Sequence, residues 1–443
     1  RPGRDCGRRA GLGAARLGGA GRGKLSVDLT GTRSLAEFQE RIRARLPEFK
    51  PGEWITGRGW DQSLWLEPRI PTRADLDAVS TQHPMLFERV DGHSSVANSL
   101  ALAKAGITRD TPNPDGGDIV RDAQGEPTGW LKDKAEGLVT RHIPAPDRAQ
   151  RKRALALALR EAVENGVTSL QDNSDWEDFL ALQELKAEGK LLARVTEWLG
   201  FNTPLDTLKA RREQAGTTDP WLKTGALKGV TDGSGGSHSA AMIEPFADEP
   251  TNRGLLLYDP EQLKRMVIER DQAGFQITLH AIGDRAIRIV LDAFAAARAT
   301  NPPEASGPRD RRHKIEHVQF VHRDDAPRFG ELQIIASMQP SHILSDMRWA
   351  PALLGPARYP EAYPFASMLK HSPVLAFGTD YPVEPINPFR GLYAAVTRES
   401  EEGGPRCGWV PEEKISLEEA IRASTWGSAV AEFEEQRKGT LAP

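Results

Sequence analysis

Four polar residues stand where short apolar runs give way to turns. Lys228 lies in Leu227-Lys-Gly-Val ahead of Thr231-Asp-Gly-Ser, His280 ends Gln276-Ile-Thr-Leu-His, His317 ends His313-Lys-Ile-Glu-His, and Asp380 ends Leu375-Ala-Phe-Gly-Thr-Asp. These residue types suit a metal centre. Neutral imidazole is a good ligand for zinc-like cations, a carboxylate completes the shell, and a bound water then loses its proton near a pKa of about 7. A nearby Asp can shuttle that proton. Lysine as an ammonium has no lone pair to give, so Lys228 contributes only if its amine is modified, for instance to a carbamate. Singly, a strand-end histidine reads as a packed hydrogen-bonding residue and a strand-end Lys or Asp as a solvated terminus. Their order on successive units points instead to one shared pocket.

The elements that must carry these residues alternate. From residue 151 onward, helix-length runs separate strand-like segments at 166–172, 192–198, 224–230, 274–280, 313–320, 334–339 and 374–378. Seven β-α units argue for a parallel sheet, and a run of that length argues for a closed barrel whose C-terminal rim holds the active site. An eight-stranded barrel is then one strand short. Upstream, Ser34 followed by Leu35, Phe38, Ile42 and Leu46 describes a capped amphipathic helix, and residues 25–50 are expected to begin the barrel. Residues 51–150 are loop-rich, punctuated by Pro-Gly, Asp-Gly and Gly-Gly and dense in tryptophan (Trp54, Trp60, Trp65, Trp130). They read as an inserted cap over a cleft, leaving 151–443 as the barrel proper.

The first 24 residues hold eight glycines, six arginines and one acid, without apolar periodicity, and look foreign to the rest of the chain. Among the other histidines, His93 in Val90-Asp-Gly-His lies in the cap and is a candidate to meet substrate or to pin a loop. His313 reads as structural, His83, His142, His322 and His371 as surface, and His238 and His342 stay undecided. Gly233, Gly235 and Gly236 lack the Gly-Lys-Ser/Thr ending of a phosphate loop, and no Gly-x-Ser-x-Gly elbow supports serine hydrolysis.

Composition closes off several classes. The 443 residues carry 62 acids and 58 bases, a net charge of −4, with 39% apolar residues; neither disorder nor a nucleic-acid surface is expected. Cys6 and Cys407 are the only cysteines, too few for a disulfide framework or a cysteine zinc cluster. No apolar run approaches a membrane span and no secretory signal opens the chain, so a cytoplasmic location is the default expectation.

The motifs Trp54-Ile-Thr-Gly-Arg-Gly-Trp-Asp61, Asp91-Gly-His93, Asp232-Gly-Ser, His280-Ala-Ile-Gly-Asp284, Ile315-Glu-His317, Gln339-Pro, Thr379-Asp-Tyr-Pro-Val-Glu-Pro385 and Ala395-Val-Thr-Arg398 together resemble the amidohydrolase superfamily, in the branch of N-substituted formamide deformylase. The resemblance runs from about residue 25 to the C-terminus. It implies a distorted (β/α)8 TIM-type barrel with a cap, and hydrolysis of an amide-like, non-peptide C–N bond of a small molecule by metal-activated water. By position it makes His280 and His317 ligands, Asp380 the ligand that moves the proton, and Lys228 the lysine that relatives carbamylate between two metals. Deaminase and ester-hydrolase chemistry would use the same ligands. A homo-oligomer is compatible with it.

Two departures qualify the expectation. The family's first strand ends in His-x-His, and aligning Leu17 places Ala14 and Arg16 at those positions. Two ligands are thereby replaced, one by a cation, and at most one tightly bound ion, zinc by preference, is expected. The family's small β-sandwich is expected to be largely missing. A fragment or mis-framed product, with residues up to about 20 not encoding the natural first strand, or an inactive ligand-binding barrel, is the alternative to an enzyme. The cap tryptophans suggest an apolar or aromatic substituent on the substrate.

Overall fold

The computed structural model describes residues 10–89, 94–114, 117–301 and 310–440. The chain divides into two compact units, one of Ala20–Ala154 and the other of the flanking Arg1–Gly19 and Leu155–Pro443. His93 and its neighbours 90–92 lie outside the described residues.

Strand β1, Ala10–Ala15, precedes the first unit boundary. The smaller unit then carries β2 (Val27–Asp28), β3 (Ile55–Trp60), β4 (Met85–Arg89), β5 (Ser94–Ala97), β6 (Gly117–Arg121) and β7 (Pro127–Asp133) in one sheet of order β2-β3-β4-β5-β7-β6. Side chains alternate across a strand, so each face of this sheet needs its own core. Met85, Phe87 and Val96 turn to one side, against Phe38 and Ile42 of the helix Leu35–Arg45; Leu86 and Ala97 turn to the other, against Ala101, Leu102 and Leu131. The Ser34 hydroxyl caps that helix by accepting from Glu37 N at 3.1 Å. Residues 25–50 thus belong with this sheet rather than with the barrel, because the apolar face of their helix is spent on Val27, Ile55 and Phe87. Trp60 and Trp65 are buried in the same core, packed against Phe38, and Trp60 Nε1 donates to Phe87 O at 2.9 Å. They stabilise the unit and are not free to meet a substrate. His83, read as surface, is buried as well, its Nδ1 2.9 Å from Ser80 Oγ.

The larger unit continues with β8 (Val167–Asp172), β9 (Arg194–Gly200), β10 (Leu222–Val230), β11 (Ile277–Ala281), β12 (Lys314–His317), β13 (Ile335–Met338) and β14 (Leu375–Tyr381). With β1 they form a closed barrel in the order β1-β14-β13-β12-β11-β10-β9-β8. Every pairing is parallel. The seven expected strands are all present, and the eighth comes from the opening segment read as foreign. β1 pairs Gly13 with Gly378 of β14 and Leu12 with Leu170 of β8. Its sequence, Ala-Gly-Leu-Gly-Ala-Ala, has little strand propensity of its own; the two open edges of β8 and β14 supply the backbone partners that fix it.

Helices pack outside the barrel. The helix Pro260–Gln272 is started by Asp259, whose carboxylate accepts from Glu261 N and Gln262 N. The helix Asp284–Thr300 turns Ile287, Val290, Leu291 and Phe294 onto the strands, where Ile277, Leu279, Ile315 and Phe377 meet them. The barrel interior is polar in part. Lys314, fully buried, donates to Gln171 Oε1 at 2.6 Å, lies 3.8 Å from Glu316 and faces the Trp198 ring at 4.1 Å. Thr278 and Ser337 each donate to Glu316 at 2.6 Å. Among the described residues, no helix is long and apolar enough to cross a membrane.

Candidate active site

Parallel strands put all their C-terminal ends on one rim. A cavity of about 390 Å³ opens there, and Lys228, His280, His317 and Asp380 all line it. The four strand-end residues singled out by sequence therefore converge. Register orders them along the rim: β10 pairs Lys228 with Thr278, two residues before His280, and β11 pairs Ala281 with His317, so the two histidines stand nearer the strand ends and Lys228 two residues deeper. The backbone bends to complete the set. His317 and Asp380 both adopt left-handed conformations, φ 77° and 56°, a costly geometry for residues with a Cβ that is concentrated at functional sites.

The two imidazoles are in contact, with ring centroids 4.4 Å apart at 69°. His280 Nε2 lies 3.0 Å from Gly233 O, and a carbonyl only accepts, so the proton sits on Nε2 and the Nδ1 lone pair is free. Asp232 fixes this arrangement. Fully buried, it accepts from Ala241 N and Gly283 N at 2.9 Å through Oδ2 and from Ile282 N at 3.1 Å through Oδ1, with His280 Nε2 3.4 Å away. Burial drives the pKa of His317 well below the ordinary value, helped by His280, Lys228 and His342, and its Nδ1 is buried without a partner.

Charge is balanced around the remaining groups. Burial pulls the Lys228 pKa down, while Glu316 and Asp380 oppose the shift. Burial likewise pushes the Asp380 carboxyl up, against the attraction of Lys228 and Arg16. Arg16, immediately after β1, lines the cavity, so the cation expected in place of a first-strand ligand does reach the pocket. Its backbone is tied in by Arg16 N donating to Tyr381 O at 2.8 Å, and the turn by Leu17 N donating to Asp172 Oδ1 at 2.8 Å.

Other residues complete the walls. Asn173, Gln319, His342, Ser345, Asp346, Trp349 and Glu384 line the cavity. His342, undecided from sequence, is therefore a site residue; its signal is a histidine three positions after Gln339, in Gln339-Pro-Ser-His. His238 lies elsewhere, 3.1 Å from Asp248, and His313 is structural, bound to Ile277 N and Asp271.

A divalent metal is implied by the resemblance, and the donor set fits one ion in its chemistry. It holds a neutral buried imidazole with an orphaned nitrogen, a second imidazole with a defined free lone pair, and a carboxylate on the same cavity. Among the described residues no three His, Cys, Asp or Glu side chains form a ready-made ion site, so closing the shell requires side-chain adjustment.

Comparison with known proteins bears on the family and the fold. The profile of the Amidohydrolase family matches residues 20–443. The chain is 36% identical to Protein LONG AFTER FAR-RED 3 of Arabidopsis thaliana, over 94% of this chain and 72% of that one. It is 26% identical to the N-substituted formamide deformylase of Arthrobacter pascens, over 92% and 75%. The crystal structure of an uncharacterized metal-dependent hydrolase from Pyrococcus furiosus superposes with a TM-score of 0.80 at 29% identity, covering 98% of this chain and 84% of that one.

Proposed function

The chain belongs to the amidohydrolase family and is a hydrolase, and from that premise we propose that it cleaves the C–N bond of a small amide-like molecule by metal-assisted attack of water. The observation that carries this reading is the convergence of Lys228, His280, His317 and Asp380 on one cavity. The relative named for deformylating N-substituted formamides acts on a bond of this kind.

His280 and His317 would hold the ion, with Asp380 as third donor and Lys228 beside them. A divalent ion of the zinc type, bound there, supplies Lewis acidity and a water acidic enough to attack at neutral pH. Asp380 takes the proton of the attacking water on its carboxylate and returns it to the departing nitrogen. Asp232 keeps the His280 ring in the tautomer that leaves Nδ1 open. Trp349 offers an apolar wall for the substituent on nitrogen.

The test is hydrolysis of a panel of N-benzyl and N-aryl formamides and acetamides by the purified chain. Turnover abolished by a chelator and restored by zinc supports the reading. Turnover that survives complete metal removal, or hydrolysis of esters alone, refutes it.

A further inference from the structure

His342 is a polar group of the cavity to which the hydrolytic reading gives no task. It opens the short helix His342–Asp346, beyond the end of β13, and only 7% of it is exposed. Its ring lies almost parallel to that of His317, centroids 5.9 Å apart at 15°, beside the imidazoles that would hold the ion. Gln319 Nε2 stands 3.3 Å from His342 Nδ1. An amide nitrogen only donates, so Nδ1 accepts and the ring proton is on Nε2. That Nε2 is buried without a partner. Buried donors are almost always paired, and an orphan donor in a cavity wall marks the place of a ligand acceptor.

The surroundings say what kind of acceptor. With Nδ1 accepting from Gln319, the ring carries one proton and donates from Nε2 as a neutral group. Asp346 and Glu384 line the same cavity, both bridged by Ser345 Oγ at 3.2 Å. A ligand carboxylate bound at His342 would meet these two acids. A neutral oxygen that gains charge only during reaction does not meet that charge on binding.

We propose that His342 donates Nε2–H to the carbonyl oxygen of the bound amide and strengthens that bond as the oxygen becomes an oxyanion, which makes it a further catalytic residue. Gln319 is the positioning residue that fixes its tautomer. The proposal rests on the hydrolase reading above. A donor aimed at developing negative charge acts on kcat more than on KM, and removing one costs roughly 100- to 1000-fold.

The experiment compares metal-loaded wild type, His342→Leu and His342→Gln for hydrolysis of N-benzylformamide and N-benzylacetamide, with metal content measured for each. Expected is a roughly 100- to 1000-fold loss of kcat in His342→Leu, a KM within about tenfold of wild type, unchanged metal content, and partial recovery in His342→Gln, whose amide can donate. Should His342→Leu not fold, His342→Phe keeps a ring over His317 and removes the donor. Variants with kcat within about threefold of wild type overturn the proposal and leave the hydrolase reading standing. Equal losses in both variants that track lost metal also overturn it, because they assign His342 to holding the site together. A wild type that hydrolyses neither amide, nor any of the wider panel, overturns the hydrolase reading and this inference with it.

Discussion

Replacing Asp232 by Asn tests whether the site is held from behind by a single carboxylate. Asp232 accepts three backbone N–H groups, from Ala241 and Gly283 on Oδ2 and from Ile282 on Oδ1, and is fully buried. An asparagine has one acceptor oxygen and one donor nitrogen. In its better orientation the oxygen serves Ala241 and Gly283, and the NH2 confronts Ile282 N; in the other, two donors are orphaned. Each orphaned buried donor costs about 1–3 kcal/mol, and the surviving bonds lose their charge assistance. The resulting loss of about 2–3 kcal/mol in local stability, at 1.4 kcal/mol per decade, is roughly a 30- to 150-fold rise in exchange through local opening. Hydrogen exchange read by mass spectrometry on peptides containing Ala241 and Ile282–Gly283 measures it directly. Peptides of the smaller unit, such as that containing Phe87 and Val96, provide the unperturbed reference. Exchange at Ala241 and Gly283 within about threefold of wild type would refute the reasoning.

The buried charges elsewhere in the barrel unit give further expectations. Burial disfavours an ionised Asp271, but hydrogen bonds from His313, Arg311 and Asn301 outweigh it and hold the carboxyl far below the usual range. A lowered folded-state pKa gives stability that is complete above the ordinary carboxylate value of about 4 and is lost as pH falls from there toward the folded value. Wild type should therefore lose urea resistance across that acid window, and Asp271→Asn should start lower and lose less; equal slopes would contradict this. Lys314→Met removes the ammonium 3.8 Å from the buried Glu316 and should cost about 3–5 kcal/mol in denaturant unfolding. Elemental analysis should find no more than one tightly bound ion per chain, and Ala14→His with Arg16→His should raise metal content and hydrolysis. Two ions in the wild type, or no change in the double variant, would count against the role given to Arg16.

Much of the barrel is legible in sequence because each of its seven later strands is a short apolar run with helix-length spacing. β11 and β13 are typical: Ile277, Leu279, Ile335, Ala336 and Met338 are apolar and buried, and each run is bounded by a turn. β1 is not legible, because nothing in Ala10–Ala15 favours a strand locally; its pairing comes from β8 and β14, which lie far along the chain at Val167–Asp172 and Leu375–Tyr381. Tertiary context overrides propensity there. The helix Leu35–Arg45 is legible as a helix but not as to its partner, since amphipathicity states that a face is buried and leaves open against what. The same holds for Trp60 and Trp65: a tryptophan-rich stretch is as compatible with a core as with a binding wall, and here aromatic packing against Phe38 decides for the core.

The site divides along the same line. Lys228, His280, His317 and Asp380 can be found from sequence because a barrel turns strand ends into neighbours, so one-dimensional position already carries three-dimensional meaning. His342, Gln319 and Asp232 follow strands instead of ending them, and their placement depends on turns whose geometry no periodicity encodes. What betrays them is the satisfaction of polar groups: Asp232 gathers three backbone donors, and His342 has one proton with nowhere to go. These are complementary signs. A saturated buried carboxylate marks a residue that shapes the site, and an unsatisfied buried donor marks one that waits for what the site binds. If both assignments hold, Asp232→Asn should raise amide exchange around His280, whereas His342→Leu should leave exchange unchanged and lower kcat; the reverse pattern would exchange their roles.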